Sequence, residues 1–212
     1  MSVEATGTRA RRTRSNGERS RHAVLSAAPA EATVHGLQGL TIGMLADKLG
    51  MSKSSLHALF GSKEELELAI IEQARLLYDK EIVQPALQES DPLKKLLALC
   101  ENWLSFVERD IFPGGCFFAA ANSEYDTRPG AVRDQLVLLY SRWTELVNAV
   151  VAESQEAGRL SGEQSPQELT FQVLAILRQA NDMYLLYQNA SHIEMGRTIV
   201  RRLLGIDVHA GR

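Results

Sequence analysis

Helix start and stop signals divide the chain, from residue 18 onward, into segments of helical length. Residues whose side chains cap helix N-termini stand before apolar residues spaced three and four apart. These capping residues are Thr41, Ser52, Ser62, Asp91 and Ser165. Glycines that can end the helices follow at positions 36, 50, 61, 158 and 205. Since no stretch shows the sustained two-residue alternation that is typical of a strand, the sequence predicts an all-α protein.

Two short helices are predicted between residues 41 and 60, joined by a turn at Gly50. An apolar set that includes Leu45, Leu49 and Leu56 would hold the two helices together. The other face of the second helix carries small and polar side chains. This pattern predicts a helix-turn-helix, in which the second helix enters the DNA major groove and the first braces it across the phosphate backbone.

The chain carries a net charge of −3, which is distributed unevenly. Residues 1–63 contain nine Lys and Arg against four Asp and Glu, whereas residues 64–212 carry a net charge of −8. Parts of opposite sign indicate a polyanion-binding head on an acidic body. The alternative is a basic disordered tail that only keeps the chain in solution.

We therefore divide the chain into three parts. Residues 1–17 are predicted to form a disordered basic arm. Residues 18–63, called the head, form the helix-turn-helix domain, and residues 64–212, called the body, are assigned below to ligand binding and dimerisation. The first helix of the head is expected from about Glu18 to His35, and Pro29 should kink it or delay its start.

Aromatic residues are concentrated in the body, which holds twelve of the thirteen in the chain. Binding sites between helices are apolar, with a few polar groups that orient the ligand. Asn181 interrupts an otherwise buried helix, where an unpaired polar group costs about 1–3 kcal/mol, so it needs a partner in the fold, a second subunit or a ligand. The candidate lining residues for a small hydrophobic molecule are Trp103, Phe106, Phe117, Asn122, Trp143, Arg178, Asn181 and Tyr184. The alternative is that the aromatic residues fill an ordinary helical core.

Apolar residues lie on two faces of the helix predicted over residues 166–188. The core of one chain covers only one of these faces, so the other needs a partner. In an isologous interface that partner is the same helix of a second copy, and the sequence therefore predicts a homodimer. The candidate interface residues are Leu174, Leu177, Leu185, Gly196, Val200 and Leu203.

The sequence argues against a membrane protein, a metalloprotein and an enzyme. The apolar runs are far shorter than the roughly 20 residues that span a bilayer, and no apolar segment follows the N-terminal arginines, so we expect a cytoplasmic protein with no membrane partner. Cys100 and Cys116 stand in no metal-binding pattern, and no metal or cofactor is expected. The histidines lack carboxylate partners and no phosphate-binding loop occurs, so we expect no enzyme. A helical adaptor that binds proteins is the alternative, although it gives the basic segment no role.

Three consecutive stretches carry a specific resemblance. They are Leu40-Thr41-Ile42, Leu45 to Leu56, and Phe60 to Leu66. Together they resemble the DNA-binding domain of the TetR/AcrR family of transcriptional regulators. The resemblance implies an all-helical homodimer whose three-helix head is held by a long fourth helix to a divergent ligand-binding body. It also implies a repressor, bound to a palindromic operator and released by a small molecule; a ligand-activated activator is the alternative.

The same resemblance implies which residues contact double-stranded DNA. The implied phosphate contacts are Thr41, Lys53, His57 and Lys63. The implied readers of base edges are Ser54, Ser55 and Ala58. The family usually has a tyrosine where this chain has His57, whose imidazole can still donate one hydrogen bond to a phosphate.

Overall fold

A computed structural model of the protein describes the backbone of residues 4–206 and the side chains of residues 16–206. Within this part the chain is helical throughout and forms no strand, as the sequence predicts. The α-helices are α1 (Glu4–His35), α2 (Ile42–Leu49), α3 (Lys53–Phe60), α4 (Lys63–Tyr78), α5 (Gln84–Ala86), α6 (Pro92–Glu108), α7 (Phe117–Tyr125), α8 (Ala131–Glu156), α9 (Pro166–Tyr187) and α10 (Ser191–Leu203). A π-helical turn, Asp79–Val83, joins α4 to α5 without a break.

The predicted capping residues begin the helices as expected. The hydroxyls of Thr41, Ser52 and Ser62 accept hydrogen bonds from the backbone N–H three residues further on, and Asp91 accepts from the N–H groups of the two residues after Pro92. These bonds satisfy donors that have no partner inside the helix. Local chemistry therefore sets most of the helix starts.

The start of α1 differs from the sequence expectation. The helix begins at Glu4 rather than near Glu18, so the predicted disordered arm lies inside α1 from residue 4 onward, while residues 1–3 lie outside the described part. Ala, Arg and Glu, which favour helices, make up most of residues 4–15. Pro29 lies within α1 and neither ends the helix nor delays its start.

The head and the body meet along α4. In the head, α2 packs against α3 and α1, around the buried side chains of Val24, Leu45 and Leu56. In the body, α6, α8 and α9 pack together, and α10 covers α9 and α6. Helix α4 contacts α1 on one side and α8 on the other, so it links the two parts. Among the described residues, no helix is both long enough and apolar enough to cross a membrane.

Candidate DNA-binding surface and ligand cavity

Helix α3 has one buried face and one exposed face. Leu56 and Phe60 point into the head and are buried. Five of the residues predicted to contact DNA lie on the exposed face and are themselves exposed: Lys53, Ser54, Ser55, His57 and Ala58. The structure thus brings these five residues together on one surface of one helix.

Hydroxyl groups cluster at the start of this surface. Ser52 Oγ lies 3.0 Å from Ser54 Oγ and 2.7 Å from Ser55 Oγ. At the start of α2, the exposed Thr41 accepts a 3.1 Å hydrogen bond from the Met44 N–H, which leaves the hydroxyl proton of Thr41 free to be donated to an outside acceptor. The Lys53 side chain reaches across to Gly43 in α2, where its Cε would lie 3.2 Å from an added Cβ.

Lys63 has partners within the protein. Its ammonium group donates to the Gln38 carbonyl and lies 3.5 Å from Glu67 Oε1. A phosphate at Lys63 would therefore share the ammonium with these two groups. Sequence reasoning assigned no role to Arg21, whose guanidinium lies 4.8 Å from the centre of the Phe60 ring and adds positive charge beside α3.

Helix α7 holds the head through its last turn. The Glu124 carboxylate accepts hydrogen bonds from the backbone N–H groups of Leu37, at 2.8 Å, and Gln38, at 2.9 Å, in the loop between α1 and α2. Just before α7, the Gly114 N–H donates a 3.0 Å hydrogen bond to Thr33 Oγ1 of α1. No sequence pattern predicts these contacts, because their partners lie more than 80 residues apart in the chain.

A cavity of about 280 Å³ lies in the body among α4, the π-helical turn, α6, α7, α8 and α9. Four of the predicted lining residues surround it: Trp103, Asn122, Trp143 and Arg178. Its other walls are mostly apolar and aromatic, with Val83, Phe118, Leu139, Tyr140, Leu146, Leu174 and Leu177. Its volume is close to the lower end of the range for small-molecule sites, about 300–1,000 Å³.

The other four predicted lining residues lie elsewhere. Phe106 and Phe117 are fully buried and pack with Phe112 in the core behind the cavity. Asn181 accepts a 2.8 Å hydrogen bond from the Cys116 N–H, so its expected partner lies within the fold. Tyr184 donates a 3.1 Å hydrogen bond to Asp110, outside the cavity. A one-dimensional pattern of aromatic residues does not distinguish a core from a cavity wall, because both are apolar.

Sequence reasoning missed the side of the cavity that α4 and α8 supply. Arg75, Tyr78, Asp79 and Arg142 line it, together with the Cys116 thiol. The Tyr78 hydroxyl is buried beside the Cys116 thiol and the Phe117 N–H without forming a full hydrogen bond among the described residues, and burial raises its pKa. The ring of Tyr78 lies 4.7 Å from that of Phe106 and 5.0 Å from that of Phe118.

The predicted interface residues are in large part covered by their own chain. Leu177, Gly196 and Val200 are buried, because Leu177 faces the cavity and Gly196 packs against Ala180 and Leu104. Leu174 also lines the cavity, Leu185 packs on Gly115, and Leu203 is half-buried. The apolar residues that α9 and α10 do expose are Phe171, Leu186, Tyr187, Met195 and Ile199. Leu177, Gly196 and Val200 are thus covered within one protomer, so any interface on this side of the body would begin from the exposed residues, and the predicted interface itself stays a prediction.

A helix-turn-helix head, joined by a long helix to an all-α body with an apolar cavity, defines the class of one-component DNA-binding transcriptional regulators. Two family models match the chain. The model described as "Bacterial regulatory proteins, tetR family" matches residues 24–70, and that described as "Tetracyclin repressor-like, C-terminal domain" matches residues 92–200. The chain belongs to the TetR family of transcriptional regulators, as its sequence resemblance implied.

Solved structures share the fold at low sequence identity. A TetR transcriptional regulator from Chloroflexus aurantiacus J-10-FL superposes with a TM-score of 0.82 at 21% identity, covering 90% of this chain and 96% of that chain. AibR, in complex with isovaleryl coenzyme A and operator DNA, gives a TM-score of 0.73 at 16% identity, with 88% and 99% covered. A regulator from Saccharomonospora viridis, in complex with choline, gives 0.74 at 21% identity, with 89% and 96% covered. A search of curated protein sequences gave no significant match.

Proposed function

We propose that this protein is a ligand-responsive repressor, which binds a palindromic operator as a homodimer and releases it when a small hydrophobic molecule enters the cavity. The position of α7 between the cavity and the head carries the proposal. Phe118, Ala119 and Asn122 of α7 line the cavity, whereas Glu124, in the next turn, holds the loop between α1 and α2. A ligand that displaces α7 therefore acts directly on the head.

In this proposal α3 enters the major groove. Ser54, Ser55 and Ala58 face the base edges, because small and polar side chains allow the helix backbone to come close to the bases. Lys53, His57 and Thr41 contact phosphates on either side, and Lys63 does so at the N-terminus of α4, where the helix dipole also attracts anions. The exposure of these residues supports the assignment.

The homodimer uses the outer surface of α9 and α10. Phe171 and Leu186 are each 75% exposed, Met195 is 53% exposed and Ile199 is 40% exposed. Burial of such apolar side chains against a second copy of the chain would stabilise a dimer. Two heads related by a two-fold axis then read two half-sites, whereas a single short helix reads only a few base pairs.

The relatives of known structure do not fix the ligand. AibR is bound to isovaleryl coenzyme A and the Saccharomonospora viridis regulator to choline, two molecules of opposite charge. A family member can therefore hold either sign of ligand on this fold. The ligand of this chain has to be argued from its own cavity, and its action on a chromosomal operator would place the protein in the cytoplasm.

Selection of bound sequences from a random DNA pool tests the proposal. We expect a palindrome with half-sites about one helical turn or more apart. The Lys53→Ala protein should bind every sequence more weakly and lose about one unit of salt slope, whereas Ser54→Ala should change the preferred sequence. Lys94→Ala, which removes an exposed lysine of the body, is the matched control and should leave both unchanged.

Three results would contradict the proposal. Enrichment of a single half-site that a monomer binds would show that the protein does not act as a dimer. Unchanged affinity and salt slope for Lys53→Ala would show that α3 does not dock as described. A cavity ligand that raises operator affinity would make the protein a ligand-activated regulator rather than a repressor that its ligand releases.

A further inference from the structure

The walls of the cavity carry a specific pattern of charge. Four charged side chains line it: Arg75, Asp79, Arg142 and Arg178. Three guanidinium groups therefore face one carboxylate, and apolar walls strengthen the field that they produce. Which of these charges can bind a ligand depends on the partners that each has within the protein.

Two of the three arginines are neutralised by carboxylates that lie outside the lining. Arg75 donates to both Glu72 oxygens, at 2.8 and 2.7 Å, and Arg178 Nε donates to both Asp182 oxygens, at 3.0 and 2.9 Å. The carboxylate in the lining, Asp79, accepts a hydrogen bond from the Gln84 side chain. The pKa of Arg75 is raised mainly by its hydrogen bond to Glu72 and, to a smaller extent, by the charge of Asp79. Each of these charges already has a partner of opposite sign.

Arg142 differs from the other two. Within the part of the chain that has described side chains, Arg142 forms no hydrogen bond and no ion pair. The pKa of Glu72 is lowered mainly by Arg75, and the charge of Arg142 adds a smaller effect in the same direction. Arg142 is exposed at the cavity wall beside Trp143. An anionic group on a ligand would find there a guanidinium that no protein carboxylate binds.

Tyr78 supplies a second polar group in the cavity wall. Its buried hydroxyl makes no full hydrogen bond among the described residues and interacts with the Cys116 thiol and the Phe117 N–H. Burial raises its pKa, so it stays a neutral phenol that can donate one hydrogen bond. A thiol is a weak acceptor, and an oxygen on a ligand would be a stronger one. Arg142 and Tyr78 therefore both favour a ligand that accepts hydrogen bonds.

We propose that the ligand of this cavity is an amphipathic acid, with an aliphatic or aromatic skeleton among Trp103, Trp143 and Leu177 and an anionic group bound by Arg142 and Tyr78. The inference rests on the proposed ligand-responsive function and adds the chemical class of the ligand. It excludes quaternary ammonium compounds and neutral hydrocarbons as the preferred ligands.

The test compares three probes with the same carbon skeleton: decanoic acid, decanol and decyltrimethylammonium, each below its micellar concentration. Both tryptophans of the chain line the cavity, so their fluorescence reports its occupancy. We expect the acid to bind about three- to tenfold more tightly than the alcohol and the ammonium to bind most weakly. Arg142→Gln should abolish the advantage of the acid, Arg142→Lys should retain part of it, and Arg128→Gln, an exposed arginine outside this cavity, should retain all of it.

Tyr78→Phe gives an independent readout. Removal of a buried hydroxyl that makes no full hydrogen bond should leave the midpoint of thermal unfolding of the free protein unchanged or higher. It should weaken binding of decanoic acid more than that of decanol, because a carboxylate is a stronger acceptor than an alcohol. A purely structural tyrosine would not show this combination.

The outcomes separate the two proposals. If decanol or the ammonium compound binds as tightly as the acid, or if Arg142→Gln leaves their ratio unchanged, the acid class is wrong while the cavity stands as a ligand site. If none of the three probes alters tryptophan fluorescence at the highest concentration below its micellar limit, the proposed small-molecule site is wrong, and so is the proposed ligand class.

Discussion

Gly114 places the body against the backbone of α1, and no larger residue fits there. A Cβ at this position would lie closer to the Thr33 carbonyl group than van der Waals contact allows. Gly114→Ala should therefore lower the free energy of unfolding by about 1–3 kcal/mol, because either α1 or the loop before α7 must move. Urea unfolding measures this difference.

The matched control is Gly162→Ala. An added Cβ at Gly162 meets nothing within 4 Å, so the free energy of unfolding should stay within about 0.5 kcal/mol of the parent value. Equal effects of the two substitutions would show that α1 is not held at Gly114.

The two cysteine thiols are both buried, which determines how they react. Burial raises the pKa of Cys100 to about 12 and also raises that of Cys116. Because thiolate is the reactive form, we expect slow labelling by a thiol reagent at pH 8 in the folded protein and fast labelling of two thiols after unfolding.

The sign of the pH effect follows from the same shifts. The folded state holds the thiol proton more tightly than the unfolded state, whose thiol pKa is about 8.5, so the neutral thiol contributes its full stability below that pH. This contribution is lost as the pH rises toward 12, and unfolding should become easier over that interval. Rapid labelling of the folded protein at pH 8 would contradict the buried placement.

Helix α7 contacts both the cavity and the loop between α1 and α2. Glu124→Ala removes the acceptor of the Leu37 and Gln38 amides, and hydrogen bonds to a charged group are worth about 1.5–3 kcal/mol. Amide hydrogen exchange in residues 36–40 should therefore be at least about tenfold faster, whereas exchange in α9 should not change.

Thr127→Ala provides the control, since Thr127 is exposed beyond the end of α7. Glu124→Gln should give an intermediate rate, because the amide oxygen still accepts a hydrogen bond without the charge. Unchanged exchange at residues 36–40 in Glu124→Ala would mean that α7 does not hold the head.

The helices could be predicted from the sequence where local chemistry decides them. Ser52 and Gly61 bracket α3, and Ser62 begins α4 with a capping box to Glu65, as read from the sequence. The start of α1 could not be predicted in this way. Its first residues favour a helix, but neither a capping signal nor an apolar stripe marks where that helix begins.

The candidate site was only partly predictable, for a physical reason. Trp103 and Trp143 were singled out as large aromatic residues and do line the cavity, but Phe106 has the same chemistry and fills the core behind it. No sequence pattern marks Tyr78 or Arg142, because their significance depends on which groups lie beside them in the fold. Such surroundings can be read only from a three-dimensional arrangement.

At the scale of the whole molecule, the exposed apolar surface of α9 and α10 predicts how the protein associates. Ile199→Glu should convert the proposed dimer into a folded monomer that loses operator binding, because a charge in an apolar interface has no partner. Val200→Glu should behave differently and unfold the chain, since Val200 is buried within one protomer.

Light scattering at micromolar concentration distinguishes these states, and circular dichroism shows which variants are folded. Leu87→Glu, at an exposed apolar position in the turn after α5, is the control and should stay dimeric. A monomeric parent protein, or a dimeric Ile199→Glu protein, would place the interface elsewhere.

The π-helical turn after α4 gives the link between head and body an adjustable part. Its wider backbone rings are rare and tend to occur at functional sites within α-helices. Asp79 and Val83, which lie at its two ends, are both in the cavity wall. A molecule bound in the proposed site would touch a segment of this link that can tighten to a regular α-helix, and such a change would rotate α4 about its own axis.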